Sequence, residues 1–151
     1  MSKLYLLKTI VAILVLTLII FSNNSYAQSH PNIEFENFWI VLPPSVARST
    51  AGYGVIKNTG NAADRLIGIK SNAGAVMLHK TNISGGRAKM IHMENMLINA
   101  NSELTLEPMS FHLMFMDLCP IIFIEGGRAT ITFEFENSGL IEVEVPIKPS
   151  W

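Results

Sequence analysis

Two regimes of hydrophobic patterning divide this chain. From Thr9 to Phe21 runs an uncharged, apolar stretch, preceded by Lys3 and Lys8 and followed by polar Ser22, Asn23, Asn24 and Ser25. Beyond it the apolar residues alternate. Ile131, Phe133 and Phe135 alternate with Thr132, Glu134 and Glu136; after Asn137-Ser138-Gly139, Ile141, Val143 and Val145 alternate with Glu142 and Glu144. A period of two sends alternate side chains to opposite faces, so these segments predict a strand pair with one dry and one wet face. Similar punctuation at Asn58-Thr59-Gly60-Asn61, Ser84-Gly85-Gly86 and Glu125-Gly126-Gly127 marks further turns. The pattern predicts an all-β domain of about seven or eight short strands, without a long amphipathic helix, and a β-sandwich is the packing that buries such faces.

The first regime reads as a secretory signal peptide over residues 1–27. Its apolar run is shorter than the roughly 20 residues that span a bilayer, and Ser25-Tyr26-Ala27 supplies small residues where a signal peptidase reads. Cleavage after Ala27 would leave 28–151 as a single domain, exported to the periplasm and not inserted in the membrane. An uncleaved anchor is the alternative; a lipid anchor is not expected, because no cysteine follows the run.

Composition narrows the function classes. The 151 residues carry a formal net charge of -1, which offers nothing to nucleic acid. Cys119 is the only cysteine, so an oxidising compartment gains no intrachain disulfide and stability must come from packing. Enzyme signatures are absent: no Gly-x-Ser-x-Gly, no His-Glu-x-x-His, no phosphate loop and no carboxylate pair near the histidines. Glu134, Glu136, Glu142 and Glu144 belong to solvated strand faces. A non-catalytic protein is expected.

Candidate chemistry sits in one central stretch. Apart from the initiator, Met77, Met90, Met93, Met96, Met109, Met114 and Met116 all fall there, with His79, His92 and His112. Thioether sulfur is soft and forms no disulfide, and imidazole is a borderline ligand, so the mixture suits Cu(I) where thiols are at risk. In Phe111-His112-Leu113-Met114-Phe115-Met116 the strand period puts His112, Met114 and Met116 on one face. The same parity pairs Met77 with His79 and Met90 with His92, so ligands from separate strands are expected to meet, at one end of a sandwich.

Here the chain resembles the periplasmic copper chaperones of the PCuAC type. That family's pattern is a His or Met, ten residues, a Met, twenty-one residues, then His-x-Met, and His79, Met90, His112 and Met114 stand at those spacings. Flanking text agrees at Tyr53 to Asn58, Asp64-Arg65-Leu66, Leu78-His79, His112 to Leu118 and Phe133 to Val145, so the likeness runs from about Phe38 to Pro146. The resemblance implies a cupredoxin-like or immunoglobulin-like sandwich that binds Cu(I) through those four residues. It also implies delivery to an apo copper-accepting protein, such as the binuclear copper centre of cytochrome c oxidase or a thiol-bearing Sco-type partner. One departure is Pro108-Met109-Ser110-Phe111-His112, where the family has Pro-Gly-Gly before the aromatic residue and His.

Blander readings stand beside these. Met77, Met96 and Met109, taken singly, read as core filler, and Cys119 as a small buried hydrophobe. His92, Met93 and Met116 are candidates to join the site. Gln28-Ser29-His30 would, after cleavage at Ala27, present a histidine in third position, a motif able to wrap Cu(II) in a square plane. An exported immunoglobulin-like interaction module and a copper or silver sequestration protein are the competing functions.

Overall fold

A computed structural model describes residues 29–149, together with Tyr5 and Lys8. The expected leader and its cleavage point lie outside the described residues. Among these, no helix is long and apolar enough to cross a membrane.

Ten strands build the domain: β1 (Ile33–Leu42), β2 (Ser49–Asn58), β3 (Asp64–Ser71), β4 (Ala75–Ser84), β5 (Arg87–His92), β6 (Met96–Ile98), β7 (Ser102–Leu106), β8 (Phe111–Met116), β9 (Arg128–Phe135) and β10 (Gly139–Pro149). The β class is as expected, but the count of seven or eight is too low. The surplus comes from short edge strands: β5 is exposed at every position and shows no alternation, while β6 has three residues. Neither has the half-buried periodicity that betrays a strand.

Strand order is β5-β4-β8-β7-β2-β1-β10-β9-β3-β6. The sheet folds over itself at β10. Gly139 to Pro146 pair antiparallel with β9, and Ile147 to Pro149 run parallel to Ile40 to Leu42 of β1. Two layers result, with Phe35 and Phe38 of β1 meeting Phe133 of β9 across the interior at ring-centroid distances of 4.7 and 5.6 Å. Asn37, at φ 53°, sits where the β1–β2 register slips, and this bulge turns both Phe35 and Phe38 inward although they are three residues apart. Ile40, Ile56, Leu113, Phe115, Ile131 and Phe133 are fully buried, so the core is aliphatic and aromatic with no disulfide.

The predicted C-terminal hairpin is present: Ala129, Ile131, Phe133 and Phe135 are buried on β9, and Gly139 opens β10 opposite Phe135. Asp64 anchors this hairpin from the start of β3. Its buried carboxylate accepts backbone N–H groups from Arg65 at 2.8 Å and from Asn137 and Ser138 at 2.9 Å. Burial alone would raise the Asp64 pKa; the hydrogen bonds from Ser138, Asn137 and Arg65 outweigh it and hold the group below its ordinary value.

Candidate metal centre

Pairing of β4 with β8 and with β5 builds the site. Val76, Leu78, Leu113 and Phe115 point into the core, so strand parity turns Met77, His79, His112 and Met114 to the opposite face. Across the β4–β8 ladder His79 lies directly opposite His112, and Met77 opposite Met114. Directly opposed residues have Cβ atoms about 4.5–5.5 Å apart, within reach of a shared ion. On the other flank His79 faces His92 of β5 and Thr81 faces Met90.

The structure therefore brings together three of the four sequence-predicted ligands, His79, His112 and Met114, in adjacent strands on one face. Met90 stands one strand further out, on the open edge, with 56% of its surface exposed. The site lies on the outer face of a sheet near that edge, rather than at an end of the sandwich. Non-local pairing, not visible in a linear pattern, decides this placement.

Electrostatics prepare the His79 imidazole as a neutral ligand. Burial, then the neighbouring His92 and His112, push the His79 pKa below its ordinary 6.5, against a weaker backbone contribution from Met77. His79 Nδ1 is buried and has no hydrogen-bond partner of acceptable geometry. Such an orphaned ring nitrogen is costly in an apolar setting and is the atom a metal would satisfy. The donor set therefore fits a soft ion: neutral nitrogens beside thioethers, without carboxylates in the ligand rows. His112, only 6% exposed, keeps Nδ1 3.2 Å from the Ser110 carbonyl oxygen, which leaves Nε2 free.

Met77 is the residue that sequence reasoning misassigned. It is 36% exposed on the ligand face, not buried filler. Its parity with His79 was a usable signal; its partner Met114, from a strand far along the chain, was not. Met109, also expected as filler, is exposed as well; Met96 packs against the core as expected, and so does Met93, which the sequence offers as a candidate to join the site. Met116 continues the ligand face one step beyond Met114, opposite Ala75. Half-buried Cys119 follows β8, its N–H donating to the Ala73 carbonyl at 2.9 Å.

The turn before His112 closes without glycine. Met109 itself adopts φ 64°, a left-handed conformation that costs a non-glycine residue about 1–2 kcal/mol. Glu107 N–H to Phe111 O at 2.7 Å and Ser110 N–H to Glu107 O at 3.2 Å close the loop and hold His112 in register. At the other end of the chain, the His30 amide, which a square-planar Cu(II) motif would need deprotonated, donates to Asn61 Oδ1 at 2.8 Å. Metal capture there would first have to displace that bond.

Beside the ligand face lies a pocket of about 260 Å³ between β3, β4 and the segment after β5, with Met77 and His92 on its wall. It is smaller than the roughly 300–1,000 Å³ of pockets that enclose organic ligands.

The architecture matches known copper-protein domains. The copper-bound PCuAC domain from PmoF2 superimposes with a TM-score of 0.65 at 21% identity, covering 80% of this chain and 99% of that one. Identity at that level speaks for the fold alone. The solution structure of CuI-DR1885 from Deinococcus radiodurans gives a TM-score of 0.63 at 27% identity, covering 83% and 84%. By fold this is a PCuAC-type domain and not an enzyme, as the resemblance in its sequence implied. The chain belongs to the family described as "Putative lipoprotein LpqE-like", which it matches over residues 33–147. A relative in Leifsonia xyli subsp. xyli, "Putative lipoprotein Lxx21020", is 32% identical over 102 residues; the match covers 66% of this chain and 60% of the relative.

Proposed function

We propose that this protein is an exported carrier of Cu(I) that binds the ion through His79, Met90, His112 and Met114 and passes it to a copper-requiring acceptor. The observation that carries the proposal is the ligand face itself. His79 opposes His112 in the β4–β8 ladder, Met114 follows His112 on the same face, and a buried, partnerless Nδ1 on His79 awaits an electrophile. Two neutral imidazoles and two thioethers give a soft donor set without thiols, suited to Cu(I) and its silver analogue and resistant to oxidation into disulfides. The copper-bound PmoF2 domain and CuI-DR1885 share this fold. Export accords with the leader pattern and with the lipoprotein description of the relatives. The binuclear copper centre of cytochrome c oxidase, reached directly or with a Sco-type partner, is the acceptor we favour from the PCuAC resemblance.

Anaerobic Cu(I) titration against a chromogenic chelator tests the proposal. The wild-type protein should take up a single tight equivalent that a His112→Ala/Met114→Ala variant lacks; no tight uptake by the wild type would overturn it. Transfer of the ion to an apo acceptor then separates delivery from sequestration, since a storage protein retains its copper.

A further inference from the structure

The ligand face holds more soft donors than one four-coordinate ion uses. Three rows run across β8, β4 and β5: Ser110, Thr81 and Met90; His112, His79 and His92; then Met114 and Met77. His79 occupies the middle of the imidazole row, with ring centroids 6.1 Å from His112 and 5.4 Å from His92. With an ion about 2.0–2.1 Å from each ring nitrogen, two imidazoles share it at centroid separations up to about 6.3 Å when the two nitrogens lie in line across it, and draw about 1 Å closer around a four-coordinate ion. Both neighbouring pairs lie inside that span. Among the described residues, however, no three His, Cys, Asp or Glu side chains are grouped closely enough to hold one ion. His79 is positioned to share a metal with either neighbour.

Hydrogen bonding fixes which nitrogens are available. The Ser110 carbonyl oxygen beside His112 Nδ1 leaves Nε2 to bind. Glu94 Oε1 lies 3.4 Å from His92 Nε2, an electrostatic contact that favours a proton on that nitrogen and leaves Nδ1 as the better metal donor. Outer oxygens of this kind orient metal-binding imidazoles and set their tautomers. The partnerless Nδ1 of His79 lies between them in the row.

We propose that Cu(I) occupies two adjacent positions that share His79: an inner one completed by His112, Met114 and Met77, and an outer one completed by His92 and Met90 on the open β5 edge. This rests on the carrier reading above, adds His92 and Met77 to its ligands, and divides its four residues between the two positions, with Met90 serving the ion only in the outer one. The inner position is the more enclosed, since His112 is buried and Met114 half-buried, while Met90 and His92 are exposed. Three protein ligands leave the outer position a vacant place, which a thioether or imidazole of the acceptor can enter. Each copper–ligand bond broken on this protein is then replaced by one to the acceptor. Copper stays Cu(I), and no proton moves on this chain because its imidazoles bind as neutral groups; a thiol on the acceptor, where it has one, releases its own proton as it takes the ion.

The test combines Ag(I), a diamagnetic stand-in read by NMR of the imidazole and methionine methyl groups, with the rate of Cu(I) release to a chelator. The first Ag(I) equivalent should shift His79, His112, Met114 and Met77, with His92 and Met90 broadened by exchange between the two positions. Met77→Leu should weaken Cu(I) binding about tenfold or more, the effect of losing a supporting group at a metal site. His92→Ala should slow Cu(I) release to the chelator about tenfold, because the outer position through which the ion leaves is lost. Shifts at His79, His112 and Met114 with His92 and Met77 unmoved, and wild-type release by His92→Ala, would overturn this inference alone. No shift at any of these residues would overturn the carrier reading with it.

Discussion

His79 shows how much of this site resolves into the chemistry of one side chain. Its pKa is depressed by burial first and by two imidazole neighbours second, so at neutral pH it is already in the form a metal requires. The sign of the pH effect follows. With the folded pKa below 6.5, the unfolded chain takes up a proton before the folded one does, so the apo protein loses stability as pH falls from above 6.5 through the folded value. Denaturant unfolding at pH 7 and pH 5 should show a steeper loss for the wild type than for His79→Ala. Cu(I) affinity should weaken over the same interval, because protons compete for the imidazoles; unchanged affinity at pH 5 would argue against histidine ligation. The sequence supplied the identity of His79 through its spacing from Met90 and His112, but not its partnerless nitrogen, which depends on what covers it. Met77 went unread for a related reason: exposure is a tertiary property, and a methionine on a strand looks the same in sequence whether it faces core or solvent.

Elements convert that residue chemistry into geometry. Parity along β8 was legible because Leu113 and Phe115 are plainly core and His112 and Met114 plainly are not. The antiparallel register that opposes His79 to His112 was not, since it links strands separated by a full excursion through β5, β6 and β7. Gly74 sets part of this register. It precedes β4 at φ 146°, and a Cβ there would strike the carbonyl oxygen of Met116, the residue that pairs with Ala75 at the end of the ladder. No flexible side chain can yield in its place, because the obstacle is backbone. Gly74→Ala should therefore cost about 2–4 kcal/mol of stability, the range for steric and backbone conflicts in ordered sites. It should also weaken Cu(I) binding although residue 74 touches no ion. Chemical denaturation with chelator competition on the same sample checks both; a variant with wild-type stability would show that β4 and β8 hold register without it. β5 presents the opposite case, an edge strand that lacks any burial rhythm, so that only the parity of Met90 with His92 marks it as a strand.

At the scale of the whole molecule, core and site are separate investments of the same sheet. One face packs Phe115 and Leu113 against the second layer; the other carries the ligands, so the domain can fold without metal and then bind it. A preformed site couples binding to stability by mass action alone: an ion held at about 100 times its dissociation constant adds about 2.7 kcal/mol. For a domain of this size each kcal/mol raises the melting temperature by roughly 3–5 °C, so saturating Cu(I) or Ag(I) should raise Tm by about 8–14 °C. His112→Ala/Met114→Ala should melt as a folded protein and show little of that shift. His92→Ala should keep most of it, because the inner position dominates at equilibrium. A coincident loss of folding and of metal response in the double variant would mean that these side chains serve the core; a folded double variant that ignores the ion would assign them to the metal.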